Sequence, residues 1–302
     1  MSKKILAVYF TQSGQLGDII DHFTAPLETS PDISVEKLRI YPAKKFPFPW
    51  TSSSFFDAMP ESVDGTPAEL EPFAFKETRY DLIIVGYQPW FLSPSIPASS
   101  LLQHPSFKAL LKNTPVITIS GCRNMWINAQ EKVKKRLSEA DAHLVGNIAL
   151  VDKHNNYASL VTIFYWMLTA KKDRKWGVFP KPGVSDEDIV NSGIFGETVK
   201  RHLQKNEWSG LQTRLQEQHA VHVKYSLMFI ERKAGRIFSI WSKIIHKSKK
   251  RSGLLVAFKY YLLIALCIAA PIILLVDAIF FKPFLGKRIK KQKEYYAGLT
   301  LK

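Results

Sequence analysis

Short apolar runs alternate with amphipathic stretches along the first half of the chain. Three of these runs, 5–10, 81–86 and 115–120, are mostly apolar at successive positions and rich in β-branched residues. Such runs are typical of strands that are buried on both faces of a sheet. A weaker run at 145–151 predicts a fourth buried strand, and the alternating pattern of 34–40 predicts a strand at a sheet edge.

Amphipathic stretches separate the predicted strands. The spacing of apolar residues predicts helices over 16–27, 99–111 and 128–140. A further helix is predicted over 186–205, because acidic residues lie at its start, where the helix dipole favours negative charge. Strands that alternate with helices in this way predict an α/β fold with a doubly wound, parallel, five-stranded sheet.

Residues 41–75 interrupt this alternation. Six prolines lie there among aromatic residues that include Phe46, Phe48 and Trp50. Irregular segments of this length in a compact domain are usually functional or disordered. Disordered segments contain few aromatic residues, so we expect an ordered insertion that covers a ligand.

The last third of the chain is basic and apolar. Residues 221–245 have the pattern of a basic amphipathic helix, which binds anionic membrane surfaces. A basic cluster at 247–251 is followed by a 22-residue apolar segment, 260–281, that is interrupted only by Pro271 and Asp277. That length is enough to span a bilayer. Two topologies remain open, namely a spanning helix kinked at Pro271 and a hairpin that folds back there.

The positive charge of the chain is concentrated in the same third. The 302 residues carry a formal net charge of +16. Residues 1–210 contain 24 Lys and Arg against 22 Asp and Glu, whereas residues 211–302 contain 18 against 4. Because the basic residues flank a segment of bilayer length, we expect a membrane lipid surface as partner and no nucleic acid.

The cysteine count and the N-terminal pattern bear on the compartment. Two cysteines, Cys122 and Cys267, exclude a disulfide framework and the paired cysteines of a zinc site, so we expect a reducing compartment and no metal. The N-terminal pattern does not match a secretory signal peptide. Together with the C-terminal segment, these features predict the cytoplasmic face of the inner membrane.

Three loops follow predicted strands and carry candidate chemistry. The loop at 11–16 contains hydroxyl groups and a glycine at the start of a helix, which is a typical anion site, although a capped helix start has the same pattern. It contains neither the P-loop lysine nor a GxGxxG motif. The loops at 86–97 and 121–126 offer aromatic side chains and backbone amides. Because the carboxyl ends of parallel strands meet at one sheet edge, the three loops together predict a site for a planar, phosphorylated cofactor.

The first two of these loops resemble those of a known family. The sequence Thr-Gln-Ser-Gly-Gln at 11–15 resembles the phosphate loop of the flavodoxin-like family, and 89–97 is similar to its second flavin loop. The resemblance implies bound FMN and the strand order 2-1-3-4-5. Leu16 departs from the family, which usually has a second threonine there. The residues predicted to contact FMN are Thr11, Gln12, Ser13, Gly14, Gln15, Leu16, Gln88, Pro89, Trp90, Phe91, Leu92, Ser93, Gly121, Cys122, Arg123, Asn124 and Trp126.

Four motifs extend the resemblance to a more specific group. Segments 46–51, 87–97, 121–126 and 177–186 resemble the dialkylresorcinol-biosynthesis proteins of bacteria. This resemblance implies an FMN-dependent aromatase that oxidises a lipophilic dialkyl cyclohexane-1,3-dione to a dialkylresorcinol. It also implies a ketosynthase and an acyl carrier protein of the same pathway as partners. A homodimer is a further expectation, because flavodoxin-like enzymes are often dimers.

Candidate catalytic residues follow from this chemistry. Arg123 has the charge to stabilise an enolate oxygen. His154 and Tyr157 follow the fourth predicted strand and are candidate acid/base groups, with Asp152 placed to orient His154. Cys122 is expected to be structural rather than nucleophilic, since it lies in a predicted flavin loop.

Two other functions remain open at this stage. One is a membrane-associated, flavodoxin-like reductase that transfers electrons from NAD(P)H to quinones. The other is a non-enzymatic flavin protein that carries electrons or acts as a scaffold. In each case the predicted organisation is a flavodoxin-like domain at 1–210 with the insertion at 41–75, a basic amphipathic region at 211–253, and a membrane hairpin or spanning helix with a basic tail at 254–302.

Overall fold

A single parallel sheet forms the centre of the molecule. The computed structural model describes residues 2–301. Its five strands pair in parallel in the order β2-β1-β3-β4-β5. The strands are β1 Lys3–Tyr9, β2 Ile33–Arg39, β3 Leu82–Tyr87, β4 Pro115–Cys122 and β5 His143–Val151. The strand order is that of the flavodoxin-like fold, so the predicted five-stranded doubly wound sheet is confirmed.

Helices cover both faces of this sheet, as the double apolar pattern of the strands requires. Side chains alternate between the faces: Ile5 and Ala7 pack against α1, α8 and α9, whereas Leu6 and Val8 pack against α4, α5 and α6. The helices are α1 Gln15–Glu28, α2 Ser52–Asp57, α3 Met59–Asp64, α4 Ile96–Gln103, α5 Pro105–Leu111, α6 Ile127–Glu139, α7 Asn156–Thr169, α8 Asp186–Lys205, α9 Leu211–Glu217, α10 Tyr225–Lys247, α11 Arg251–Phe284 and α12 Gly286–Ala297.

The predicted helix over 99–111 is wrong as a single element. The chain forms α4 and α5 instead, with His104 extended between them at φ −69° and ψ 129°. Pro105 explains the break, because a proline ring disfavours helical backbone at the residue before it. The same proline then serves as the first residue of α5, where no amide hydrogen is needed.

The insertion at 41–75 is ordered and partly helical. The sequence predicted irregular structure, but the chain forms α2 and α3 there, and Thr51 caps α2 with its side chain. An isolated bridge between Pro42 and Leu70 closes the insertion at its base. The aromatic rings pack against one another: Trp50 lies edge to face with Trp90 and in a tilted arrangement with Phe46. These contacts supply the apolar core that orders the segment.

The C-terminal helices pack back onto the α/β domain. The helix α11 is continuous through Pro271, and two π-helical turns, at 265–269 and 277–281, lie before and after that residue. A π turn alters the backbone hydrogen bonding of a helix and so accommodates a residue that has no amide hydrogen. Of the two topologies left open by the sequence, the structure does not form the hairpin, since the chain does not fold back at Pro271. Among the described residues, α11 is the one helix with the length and apolar composition to cross a membrane.

Both ends of α11 are attached to the rest of the structure. At its start, Arg251 forms ion pairs with Asp57 and Glu61 at 3.0 and 2.8 Å. Near its end, the carboxylate of Asp277 accepts a hydrogen bond of 2.9 Å from the Tyr225 hydroxyl of α10. The helix therefore lies along α10 and the insertion instead of projecting away from them.

Candidate functional site

A largely apolar cavity of about 300 Å³ lies at the carboxyl ends of β1, β3 and β4. Three loops form its floor, and the insertion, α7, α10 and α11 form its walls. The floor residues are Met125 and twelve that were predicted to contact FMN, namely Gln12, Ser13, Gln15, Gln88, Pro89, Trp90, Phe91, Leu92, Gly121, Cys122, Arg123 and Asn124. The structure therefore brings together twelve of the seventeen residues predicted to contact FMN.

The first loop presents backbone amides at the start of α1. Gly14 adopts a φ of +93° and provides no side chain to cap the helix. The first amides of α1 have no acceptor within the helix and point toward the loop, which is the arrangement that binds anions. Thr11 does not line the cavity, but its hydroxyl accepts a 3.1 Å hydrogen bond from the Gly14 amide and thus shapes the loop. Ser13 lines the cavity beside it.

The second loop is a tight hairpin. Pro89 and Trp90 pair with Pro94 and Ser93, and Phe91 and Leu92 form the turn. Both turn residues have positive φ, +47° and +61°, although neither is a glycine. Bulky residues in this conformation are strained and persist where the surrounding structure requires them. Here the turn places both residues in the floor of the cavity.

The first two loops are joined by hydrogen bonds. The amide of Gln12 donates to the side-chain oxygen of Gln88 at 3.1 Å. The side-chain nitrogen of Gln12 donates to the carbonyl oxygens of Phe46 and Pro47 in the insertion. Gln12 thus connects the phosphate-type loop, the second loop and the cover of the site.

The third loop holds a half-buried arginine at the cavity. Arg123 donates to the backbone and side-chain oxygens of Asn156 at 2.8 and 2.6 Å, and its Nε donates to Ser159 at 3.3 Å. Ser159 in turn donates to Asp152 at 2.7 Å. Burial lowers the pKa of Arg123 to about 10, so the guanidinium still carries a positive charge at neutral pH. A fixed, poorly solvated cation at an apolar cavity stabilises negative charge on a bound ligand.

The structure places the two predicted acid/base groups elsewhere. The ring Nδ1 of His154 contacts Asp152 at 2.7 Å, as the sequence predicted, but His154 faces a separate shallow cleft beside Lys181 and Asp186. Tyr157 is exposed on the first turn of α7. The chain bends away from the cavity after β5, which turns both side chains outward. The structure therefore does not bring either side chain to the cavity.

Four further predicted contacts also need correction. Gly14, Leu16, Ser93 and Trp126 do not line the cavity, although Gly14 lies in the loop beside it. Leu16 is part of the core beneath the sheet. Ser93 accepts a 2.7 Å hydrogen bond from Lys132, and Trp126 packs with Ile127 and Met228. These side chains support the loops from behind.

The wall of the cavity that α7 forms was not predicted from the sequence. In α7, Leu160, Ile163, Phe164 and Met167 line the cavity. Their spacing of three and four residues places them on one helix face, so helical periodicity was a signal that could have found them. The apolar residues of α10 and α11 that complete the wall could not be found in this way. Other apolar residues, of the kind expected to face a membrane, surround them in the sequence, so no pattern distinguishes the residues that line the cavity.

A buried carboxyl group lies beneath the third loop. Glu231 of α10 is fully buried, and its Oε1 accepts a 2.7 Å hydrogen bond from the amide of Asn128 at the start of α6. Burial raises the pKa of Glu231 to about 7. Burial, together with Glu231, also raises the pKa of the Cys122 thiol. The thiol therefore stays protonated at neutral pH, which opposes a nucleophilic role.

Comparison with known proteins adds solved structures of similar fold. No protein-family model and no curated protein matches the chain. A flavoprotein in complex with FMN from Lactobacillus acidophilus is 16% identical, with 49% of this chain and 93% of that chain covered and a TM-score of 0.39. A putative flavoprotein from Bacteroides eggerthii is 16% identical, with 57% and 100% covered and a TM-score of 0.40. Oxidised flavodoxin 1 from Bacillus cereus is 15% identical, with 66% and 99% covered and a TM-score of 0.35. The strand order, and not these distant likenesses, establishes the fold.

Proposed function

We propose that this protein is an FMN-dependent oxidoreductase that acts on a lipophilic ring compound at a membrane surface. The observation that carries the proposal is the cavity at the switch point of the sheet, where β1 and β3 meet. In doubly wound sheets of this strand order, that position is where the loops bind a nucleotide-like ligand. The flavoproteins of similar fold agree with this assignment of the cofactor.

The residues present fit FMN. The amides at the start of α1 and the Ser13 hydroxyl would hold the phosphate, and no acidic side chain lines the cavity within residues 2–301 to repel it. The second loop, around Trp90, and the third loop, around Asn124, would flank the flat ring. When bound, FMN supplies a two-electron oxidant that accepts a hydride.

The finer proposal is an aromatase reaction on a dialkyl cyclohexane-1,3-dione. Forming the resorcinol removes one hydride and one proton from adjacent ring carbons, and enolisation completes the aromatic ring. Arg123 would hold the ring oxygen that becomes negative as the proton leaves. The apolar walls would exclude water and hold the alkyl chains. A ketosynthase and an acyl carrier protein would supply such a substrate, because the dione must be built from two acyl chains.

A single-turnover experiment tests this reaction. The FMN-loaded full chain, mixed with a dialkyl cyclohexane-1,3-dione without oxygen, should lose its flavin colour and yield resorcinol in an amount equal to the flavin. If the purified protein neither contains FMN nor binds added FMN, the whole proposal is overturned. Loaded protein that yields no resorcinol would overturn the aromatase. If NAD(P)H bleaches the flavin and quinones restore it, the reductase is the correct alternative, and a flavin that only exchanges electrons with other proteins indicates a carrier.

A further inference from the structure

One face of α11 is a wall of the cavity. Tyr261, Leu262, Ala265, Leu266 and Ala270 line it. Their spacing places them on one side of the helix. The facing wall is formed by Ile230, Ala234 and Phe238 of α10. The end of the cavity between these two helices is therefore lined almost entirely by hydrocarbon groups, with the Tyr261 hydroxyl as the exception.

The opposite face of α11 is apolar and exposed. Ile264, Ile268, Ile272 and Ile279 are each 57% exposed, and Leu275 is 61% exposed. These residues form a continuous stripe along more than four helical turns. An exposed apolar stripe of this length is unfavourable in water and suits the hydrocarbon layer of a membrane. A single helix thus separates the cavity from the surface that faces lipid.

The basic residues define how this surface meets a membrane. Lys249 and Lys250 precede α11, and Lys287, Arg288 and Lys290 follow it in α12. Each basic side chain near an anionic lipid surface favours binding. Because both basic groups flank the same apolar stripe, α11 is positioned to lie in the plane of the membrane with its inner face toward the cavity.

We propose that the space between α10 and α11 binds the alkyl chain of a membrane-dissolved ring compound, which enters the site directly from the lipid. The ring would then lie toward Arg123, and the chain would extend along Leu262, Leu266 and Ala270. This inference rests on the proposed function for the location of the ring. It adds that a long alkyl chain is a determinant of binding and that α11 recognises it.

Binding of two quinone probes that differ only in their tails tests the inference. Decylubiquinone and its tail-free parent quinone quench tryptophan fluorescence, and Trp50, Trp90 and Trp166 all line the cavity. The full chain, loaded with FMN, is placed in nanodiscs of phosphatidylcholine and phosphatidylglycerol, and the dissociation constant of each probe is measured. We expect the decyl probe to bind about tenfold more tightly or better, because its chain leaves water for apolar surroundings. Substitutions on the two faces of α11 then show whether those surroundings are the cavity or the bilayer.

Matched substitutions on the two faces of α11 locate the effect. Ala265→Phe and Ala270→Phe fill the inner face, whereas Ala257→Phe and Ala278→Phe place the same ring on exposed positions of the same helix. The inner variants should lose most of the preference for the decyl probe, and the outer variants should keep it. Circular dichroism checks that all four variants remain helical.

Each outcome decides one part of the proposal. If the inner and outer variants lose the preference for the decyl probe equally, or if the inner variants keep it, the alkyl site is overturned. Either result indicates that the tail only partitions into lipid or that a lipid chain already fills the space. The flavin content of the same samples is read separately. Protein that binds FMN but shows no tail preference overturns the alkyl site alone. A tail preference without FMN binding overturns the proposed function alone.

Discussion

At the scale of single residues, Arg123 is the one charged side chain that lines the cavity in the described part of the chain, and the structure shows how it is held. Arg123 is held by Asn156 and Ser159, and Ser159 is held by the buried Asp152. The sequence identified Arg123 but could not show this support, because the supporting residues lie about thirty positions further along the chain. It also favoured His154 for its chemistry, although the direction of a side chain after a strand depends on the following turn.

Substitution of Arg123 and of His154 distinguishes the catalytic residues predicted from the sequence from those that the structure places at the cavity. Arg123→Gln should lower turnover of the cyclic dione about 100-fold or more at equal flavin content, because a charge at the developing anion is lost. His154→Gln should change turnover by less than about threefold, since the loss of a true acid or base costs ~10²–10⁴-fold. Equal losses in the two variants would restore His154 to the active site.

A phosphate-specific effect is expected at Ser13. Ser13→Asp places a negative charge at the loop proposed to hold the phosphate, so the affinity for FMN should fall about 100-fold by charge repulsion and loss of a donor. Riboflavin, which has no phosphate, should bind the variant almost as well as it binds the wild type. Fluorescence titration with both flavins measures this, and Ser138→Asp, at the far end of α6, is the control. A parallel loss of both flavins contradicts the assignment of the loop.

Glu231 predicts a defined pH dependence of stability. Its folded-state pKa of about 7 lies above the ordinary value of 4.5, so the folded protein binds more protons than the unfolded chain between these values. The free energy of unfolding should therefore fall as pH rises from about 4.5 to about 7, by on the order of 3 kcal/mol. Glu231→Gln lacks this titrating group. The free energy of unfolding of the variant, relative to that of the wild type, should therefore rise between pH 4.5 and pH 7 and stay constant at higher pH. Urea titrations between these pH values test this, and parallel profiles would contradict it.

At the scale of elements, the strands were predicted well and the walls of the site poorly, for a physical reason. The central strands are buried on both faces, so their apolar pattern is local and unambiguous. The two short helices of the insertion are stabilised by contacts with distant aromatic residues, and no local pattern reports such contacts. Likewise, the continuity of α11 through Pro271 depends on π turns that the residue order does not indicate.

The loop before α8 gives a prediction at this scale. Gly183 has a φ of +83°, and a Cβ there would lie 2.8 Å from both Gln15 Oε1 and Trp166 Cζ3. Gln15 exchanges two 3.2 Å hydrogen bonds with the backbone of Val184 and holds this loop against the cavity. Gly183→Ala should lower the free energy of unfolding by about 2–4 kcal/mol and weaken FMN binding, through backbone strain and steric displacement together.

A second glycine separates the two causes. Gly210 has a φ of +76°, but nothing lies within 4 Å of its would-be Cβ. Gly210→Ala should therefore show the strain alone, roughly 1 kcal/mol, with no change in FMN affinity. Equal effects of the two substitutions on stability and on flavin binding would show that contact with Gln15 and Trp166 is unimportant.

At the scale of the whole molecule, the two regions of unequal charge form one structure. The near-neutral α/β domain contributes the loops, and the basic C-terminal region contributes α10 and α11 as walls of the same cavity. Beyond α11, the chain returns to the domain: the Tyr295 hydroxyl donates to Glu131 at 2.5 Å, and the carbonyl oxygen of Ala297 accepts a 2.7 Å hydrogen bond from Gln216. A helix with both flanks docked on one domain cannot place them on opposite sides of a bilayer.

This arrangement predicts a one-sided topology that differs from the spanning helix considered from the sequence. In a background with both native cysteines replaced by serine, Ser252→Cys places a thiol at the start of α11 and Gly286→Cys places one two residues beyond its end. Both should react with a membrane-impermeant maleimide in inverted inner-membrane vesicles of a bacterial host, and neither in intact spheroplasts, because both ends remain beside the α/β domain, which we propose lies on the cytoplasmic side. Ser138→Cys, on the domain itself, is the control for that side. Labelling of one end in vesicles and the other in spheroplasts would establish a spanning helix, and would require α11 to leave the cavity wall when the protein meets a membrane.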